Sequence, residues 1–284
     1  MTLIIALICI AIEQFTHQLN RFRHFSWLHS YLLWFRQIFP NLDATSLLLL
    51  AFSPIVALTL LIFSSVNLLL WVLLAVATLC YSIGPKNSTL EVTDYCDAVE
   101  RNDQEAAYLY ANKLCSTNLT LKNTDQLNQH VINATLSLCN DRILAALFWF
   151  LILGPVGALL YRCSSQANQF TNNDESLRSL QLSAQRLHHI LEWLPARLTA
   201  FSYALAGSMN DAFANWRKHS GEWSQCHSNH SCGILVTCGL GALQIASDSQ
   251  TNNIENVQAA LALTHRALII WVSFIALLTL AGFA

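Results

Sequence analysis

An all-α integral membrane protein, with about four membrane-embedded helical segments and additional amphipathic helices at the interface or in the cytosol, is predicted by three observations. The run Thr45 to Cys80 contains no charged residue, and none occurs anywhere between Asp43 and Lys86. Of the 284 residues, 54% are hydrophobic and only 11% are charged, where soluble chains carry about 25%. The chain closes on a second uncharged stretch, Ala267 to Ala284, anchored by Arg266. As one helix the first run would measure roughly 54 Å against a hydrocarbon core of about 30 Å. Two arms are therefore expected, about 46–63 and 67–83, broken at Ser64-Ser65-Val66-Asn67. Each arm must close its own backbone hydrogen bonds, which in lipid means a helix, with Pro54 kinking the first.

The remaining elements follow in order. Leu3 to Ile12 is apolar but too short to span, and it lacks the basic start and small-residue cleavage site of a signal peptide. It reads as a helix dipping into the membrane and ending at Glu13, which is either a functional acid or an interfacial carboxylate. Trp27 to Phe39 places Trp27, Tyr31, Trp34, Phe35 and Ile38 at helical spacing, and its aromatic content assigns it to the headgroup layer. Arg21, Arg23 and Arg36 precede the first span and put the N-terminus in the cytoplasm by the positive-inside tendency.

Residues 84–142 form the most polar segment. A helix is expected from Tyr95 to Cys115, capped near Thr93 and broken near Arg101-Asn102-Asp103. A second, amphipathic helix presents Leu127, Val131, Ala134 and Leu138. Ile143 to Tyr161 is apolar, bracketed by Arg142 and Arg162, with Gly154-Pro155-Val156-Gly157 inside it. It is one kinked crossing or a re-entrant pair of half-helices, and non-helical backbone at that depth is tolerated where it lines a protein cavity. Asn168 to Asn173 reads as a polar loop. A helix then runs from Asp174 to about Trp193 with Leu177, Leu180, Ser183/Ala184 and Leu187 inward, interrupted by Pro195. Asn210 to Trp223 is an amphipathic surface helix, the glycine-bearing stretch 233–245 packs closely on neighbours, and 250–256 is a loop. No repeat or long linker divides the chain. It is treated as one integrated unit made of segments 1–42, 46–83, 84–142, 143–161, 162–266 and 267–284.

Net charge of −2 and the lack of a basic patch give no support for a nucleic-acid partner. Nine cysteines, an odd number without regular spacing, do not make a disulfide framework. Cys226, His227, His230 and Cys232 are the ligand types of tetrahedral zinc, but Cys226 and His227 are adjacent and a paired C-x2–4-C arm is missing. His188 and His189 are neighbours on a helix and diverge by about 100°, so they are not a chelate. Phosphate-binding loops and nucleophile elbows are absent from the sequence.

The order of the fragments carries a resemblance. Glu13 ends an apolar helix, a double span follows, then Arg101-Asn102-Asp103, Leu147-Phe148-Trp149 ahead of a Gly-Pro-x-Gly turn, Leu191-Glu192-Trp193-Leu194-Pro195-Ala196-Arg197-Leu198, and a terminal span. Over essentially its whole length the chain resembles the AmpE family of inner-membrane proteins associated with β-lactamase induction. More distantly it is similar to the CobD/CbiB adenosylcobinamide-phosphate synthases, which use ATP to join an aminopropanol to a corrinoid carboxylate. The resemblance implies a multi-pass bacterial inner-membrane regulator that binds a small ligand at Glu13, Arg101, Asp103, Trp193 and Arg197, works without a cofactor, and has a protein partner in the induction pathway. Each position also has a plain structural role: a cap for Asp103, a snorkelling anchor for Arg197, an interfacial anchor for Trp193. The synthases follow Tyr-Arg with N-T-L-D-S and a nearby lysine; here Tyr161-Arg162 leads into Cys163-Ser164-Ser165-Gln166-Ala167. Without that acid and lysine, ATP and Mg²⁺ lose their expected partners. A ligase of the synthase type, or a transporter built on the broken helix at Gly154-Pro155, remain as the other readings.

Overall fold

The computed structural model describes residues 2–15, 25–39, 42–65, 67–83, 88–115, 124–219, 230–245 and 254–281, all helix or short connection with no strand among them. Twelve α-helices follow one another among the described residues: α1 (Thr2–Phe15), α2 (Ser26–Ile38), α3 (Ala44–Ser65), α4 (Leu68–Ser82), α5 (Ser88–Glu100), α6 (Gln104–Cys115), α7 (Thr124–Cys139), α8 (Ala145–Asn173), α9 (Gln181–Ala206), α10 (Met209–His219), α11 (His230–Ala242) and α12 (Ile254–Leu280). A π turn, Asn140–Leu144, joins α7 to α8, and a 3₁₀ turn, Glu175–Leu180, leads into α9.

The expected double span is α3 and α4, the first ending at Ser65 and the second beginning at Leu68. Three helical stretches among the described residues are long and apolar enough to cross a membrane: Ala44–Ser65, the continuous Gln126–Asn172, and Ile254–Leu280. Leu68–Ser82 is a shorter apolar helix, about 22 Å long at helical rise. Outward-facing Leu58, Leu61, Leu69 and Leu73 on the two arms are more than half exposed, as lipid-facing side chains are.

The helices gather into two compact units built from discontinuous segments. Unit 1 comprises Met1–Pro85, Asp141–Leu194 and Ile275–Ala284; unit 2 comprises Lys86–Asn140 and Pro195–Phe274. In unit 1, α2 buries Leu28, Leu32 and Phe35 against Leu47, Leu48, Ala51 and Phe52 of α3 and against Cys163, Ala167, Leu177, Leu180 and Ala184. Trp27 and Trp34 of α2 point outward, in keeping with a headgroup-layer role. In unit 2, α5, α6, α7, α11 and the C-terminal half of α9 share a core around Tyr95, Ile132, Leu136 and Tyr203. Three buried hydroxyls in that core are paired: Tyr95 Oη donates to Asn128 Oδ1 (2.7 Å), Thr199 Oγ1 to Asn140 Oδ1 (2.9 Å), and Tyr203 Oη to the Leu136 carbonyl (2.8 Å).

Several expectations change. Thr93 does not cap α5; it lies inside it, and its hydroxyl bonds the Thr89 carbonyl one turn back (2.8 Å), a satisfied mid-helix arrangement. Residues 168–173 are the last turns of α8 rather than a loop, because Ala167 and Thr171 pack inward. The final span starts at Ile254, well before 267, since Val257, Ala260, Leu263 and Ala267 form a buried stripe that extends the helix backward. The amphipathic helix expected at 210–223 is described as α10 up to His219. The Gly-Pro interruption is real: Gly154 has φ 65° and ψ −153° and breaks α8, a conformation open to glycine and strained for residues with a Cβ.

Pro195 does not interrupt its helix; α9 runs through it from Gln181 to Ala206. A proline lacks the N–H that would bond the carbonyl four residues back, which here is Leu191. That carbonyl is taken by the indole of Trp149, whose Nε1–H donates to Leu191 O at 3.0 Å. The same solution recurs at Pro54, where the freed Leu50 carbonyl accepts from Ser53 Oγ at 2.9 Å. Trp149→Phe should therefore cost about 1–3 kcal/mol of stability. In a Pro195→Ala background, where the backbone at that position regains an N–H for the Leu191 carbonyl, the same substitution should cost clearly less; equal penalties in both backgrounds, measured by denaturation in detergent, would contradict the assignment.

Candidate functional site

The polar residues of unit 1 converge where its helices are least regular. The π turn carries Asp141, and α8 brings Tyr161, Arg162 and Ser165 beside it after the break at Gly154. A π turn widens the helix, a distortion often found at functional sites. From α9, His188 and Glu192 lie on one face at i, i+4. Trp149, through Leu191 O, fixes the turn of α9 that bears them.

Asp141 is the centre. Its Oδ1 accepts from Tyr161 Oη (3.0 Å) and Ser165 Oγ (2.9 Å), and Ser165 also reaches Oδ2 at 3.2 Å. Arg162 Nη1 stands 3.9 Å from Oδ2 with its side chain 3% exposed. His188 Nε2 sits between two carboxylates, 3.7 Å from Asp141 Oδ1 and 3.9 Å from Glu192 Oε2. The Tyr161 and His188 rings are 5.6 Å apart, and the Arg162 guanidinium lies 5.7 Å from the centre of the Phe25 ring, a cation–π approach. Asp141 thus has close hydrogen bonds to two hydroxyls, while Arg162 and His188 stand 3.7 to 3.9 Å from the carboxylates they face.

His188 Nδ1 is buried and has no hydrogen-bond partner among the described residues. Burial pulls the His188 pKa below its ordinary value, and Arg162 and His189 add to this; Asp141 opposes them. The imidazole is therefore held neutral near pH 7, with Nε2 placed to carry its proton toward the carboxylates.

The sequence-predicted residues fall elsewhere. Arg101-Asn102-Asp103 is the stop and restart between α5 and α6 in unit 2. Asn102 adopts φ 57°, and its N–H and that of Asp103 bond the carbonyls of Val99 (3.0 Å) and Ala98 (2.9 Å), the Schellman pattern. Arg101 Nε donates to the Asp97 carbonyl (3.0 Å), and Asp103 Oδ1 accepts from the Ala106 N–H (3.0 Å) as the cap of α6. Arg197 is on the unit 2 part of α9, whereas Trp193, 46% exposed, is on the unit 1 part. Glu13 is within α1 in unit 1, and its side chain lies outside the described residues. Arg101 and Asp103 are thus brought together by a turn, while Trp193 belongs to the other unit. Of the Cys226, His227, His230 and Cys232 set, only the Cys232 side chain is described, and among the described residues no group of three or more His, Cys, Asp and Glu has metal-binding geometry.

Sequence reasoning passed over Asp141, Arg162, His188 and Glu192 as a group. Their signal was a charge at each end of an apolar stretch, Asp141 and Arg162, followed by a His-x-x-x-Glu pair on one helical face. The fold and the cluster define a helical membrane protein with a mixed-charge site buried among apolar helices. The family described as regulatory signalling modulator protein AmpE matches residues 1–284, and the chain belongs to that family. It is 27% identical to Protein AmpE of Shigella flexneri over 227 residues, 78% of this chain and 76% of that one. It is also 27% identical over 179 residues to the cobalamin biosynthesis protein CobD of Chromobacterium violaceum, and 32% identical over 107 residues to the CobD of Stutzerimonas stutzeri. Those alignments cover 63% and 37% of this chain, and only 56% and 34% of the two CobD proteins. No solved structure matches the chain.

Removing one partner of a buried charged pair costs about 3–5 kcal/mol, because it strands the other charge, whereas removing both costs much less. Asp141→Asn and Arg162→Met should each destabilise unit 1 by that order, and the double variant should recover most of the loss in a thermodynamic cycle. His188 gives a pH signature. With its folded pKa below the unfolded value of about 6.5, the unfolded chain binds the extra proton first, so stability is flat above that pH and falls on acidification through it. From neutral pH down through the His188 titration the wild type should lose melting temperature, and His188→Gln should lose less.

Proposed function

We propose that this protein acts in the bacterial inner membrane as a multi-pass regulator of β-lactamase induction, and that it does so by binding a small ligand at Asp141, Arg162, His188 and Glu192. The observation that carries this reading is a buried constellation of ionisable side chains, 3.7 to 3.9 Å from one another, in a chain that belongs throughout to a family of regulatory signalling modulators. Ionisable groups among membrane helices are expensive and are retained chiefly for function. A ligand that took the place of one of these neighbours would have to part α8, the π turn and α9, and would thereby favour one spacing of these helices over another. Such a differential affinity is what converts binding into a signal. The output is passed to a protein partner in the induction pathway. Glu13 and Trp193 of unit 1 stay in the proposal as secondary contacts of the ligand, and Arg101, Asp103 and Arg197 of unit 2 as contacts of the protein partner.

An ATP-dependent ligase is the alternative, favoured by the likeness to two CobD proteins. Nucleotide-dependent amide formation by the purified protein, abolished in Arg162→Met, would replace the regulatory reading.

The test measures β-lactamase activity before and after inducer in cells lacking the protein, complemented with wild type, Arg162→Lys or Asp141→Asn at matched membrane levels. Deletion and both site variants should shift the induced level in the same direction, with Arg162→Lys the milder because lysine keeps the charge but not the planar fork. Normal induction in the deletion strain would sink the regulatory role. Normal induction by both site variants alone would sink the cluster as the ligand site.

A further inference from the structure

Cys9 of α1 and Cys80 of α4 face each other inside unit 1 with Sγ atoms 2.9 Å apart. The two residues are 71 positions apart in sequence, so the fold alone brings them together. Cys9 is fully buried and Cys80 is 9% exposed. Ile5 and Ala6 on α1, Leu79 on α4 and Ile83 just after it are buried as well, so the pair sits in the seam between two helices. A disulfide has its sulfurs about 2.05 Å apart, so the pair needs a further approach of about 0.9 Å.

We propose that Cys9 and Cys80 are a site of intramolecular disulfide formation whose oxidant is a lipid-soluble quinone. The class of oxidant follows from the surroundings. Beside Cys9, α1 presents Ile4, Leu7 and Ile8 outward, an apolar surface suited to hydrocarbon, and a charged water-soluble oxidant would meet a large desolvation cost to reach the seam. The step balances without another reactant. Two S–H bonds break and one S–S bond forms, while the quinone takes up both electrons and both protons and leaves as the quinol. The bond ties α1 covalently to the second arm of the hairpin, and it closes a loop long enough to restrict the unfolded chain.

The full-length protein, purified in detergent and reduced, is incubated without oxygen with a short-chain ubiquinone analogue, then denatured, alkylated with a maleimide and mapped by mass spectrometry. The expected result is a Cys9–Cys80 linked peptide pair, loss of two alkylation sites, one quinol formed per disulfide, and an upward shift in melting temperature. Cys9→Ser and Cys80→Ser, each nearly the same size as the native residue, should leave the remaining partner alkylatable and form no quinol, while Cys96→Ser should behave as wild type. Both thiols of the wild type staying alkylatable after quinone treatment, or a linkage that joins either one to a different cysteine, would overturn the proposal.

Discussion

A carbonyl that loses its helical donor inside an apolar assembly must find another, and in this protein that requirement shapes the site. Pro195 strips the Leu191 carbonyl of its partner, and the Trp149 indole supplies the replacement at 3.0 Å. An unsatisfied carbonyl there would cost about 1–3 kcal/mol. The bond therefore fixes α8 to α9 at one register, and the register decides which residues of α9 face α8. His188 and Glu192, on the same turns of α9 as Leu191, are carried to Asp141 by that one hydrogen bond.

The charges meet under the same rule. Asp141 accepts hydrogen bonds from two hydroxyls, Tyr161 and Ser165, at close distance, and Arg162 and His188 stand farther off. The two hydroxyls hold the carboxylate in place, and the guanidinium and the imidazole stand just beyond hydrogen-bond distance. The break at Gly154 and the π turn at Asn140–Leu144 both interrupt the helical run that enters this site, so its backbone has irregularities at which helix spacing can change.

Unit 2 is organised differently. Its polar side chains mostly serve helix ends and core pairs: Arg101, Asn102 and Asp103 end one helix and begin the next, and Asn128 and Asn140 accept from Tyr95 and Thr199. The R-N-D motif that drew attention as a family feature thus has a complete local explanation in capping, independent of any ligand.

Composition and pattern were enough to determine that this is a helical membrane protein. Uninterrupted apolar stretches have one solution in lipid, and the end of the first arm near Ser65, the stop at 101–103 and the inward stripe Leu177, Leu180, Ala184 are all set by neighbours in sequence. Fragment order was enough for the family. Tertiary structure alone decided the rest. Proline reads as a helix breaker until the donor that rescues its orphaned carbonyl is visible, and that donor lies 42 positions from Leu191. Likewise Asp141, Arg162 and His188 read singly as charges at the margins of apolar helices. Only long-range packing brings Arg162 and His188 to 3.9 and 3.7 Å from Asp141, because the energy that makes them a site comes from shared burial, which no local pattern encodes.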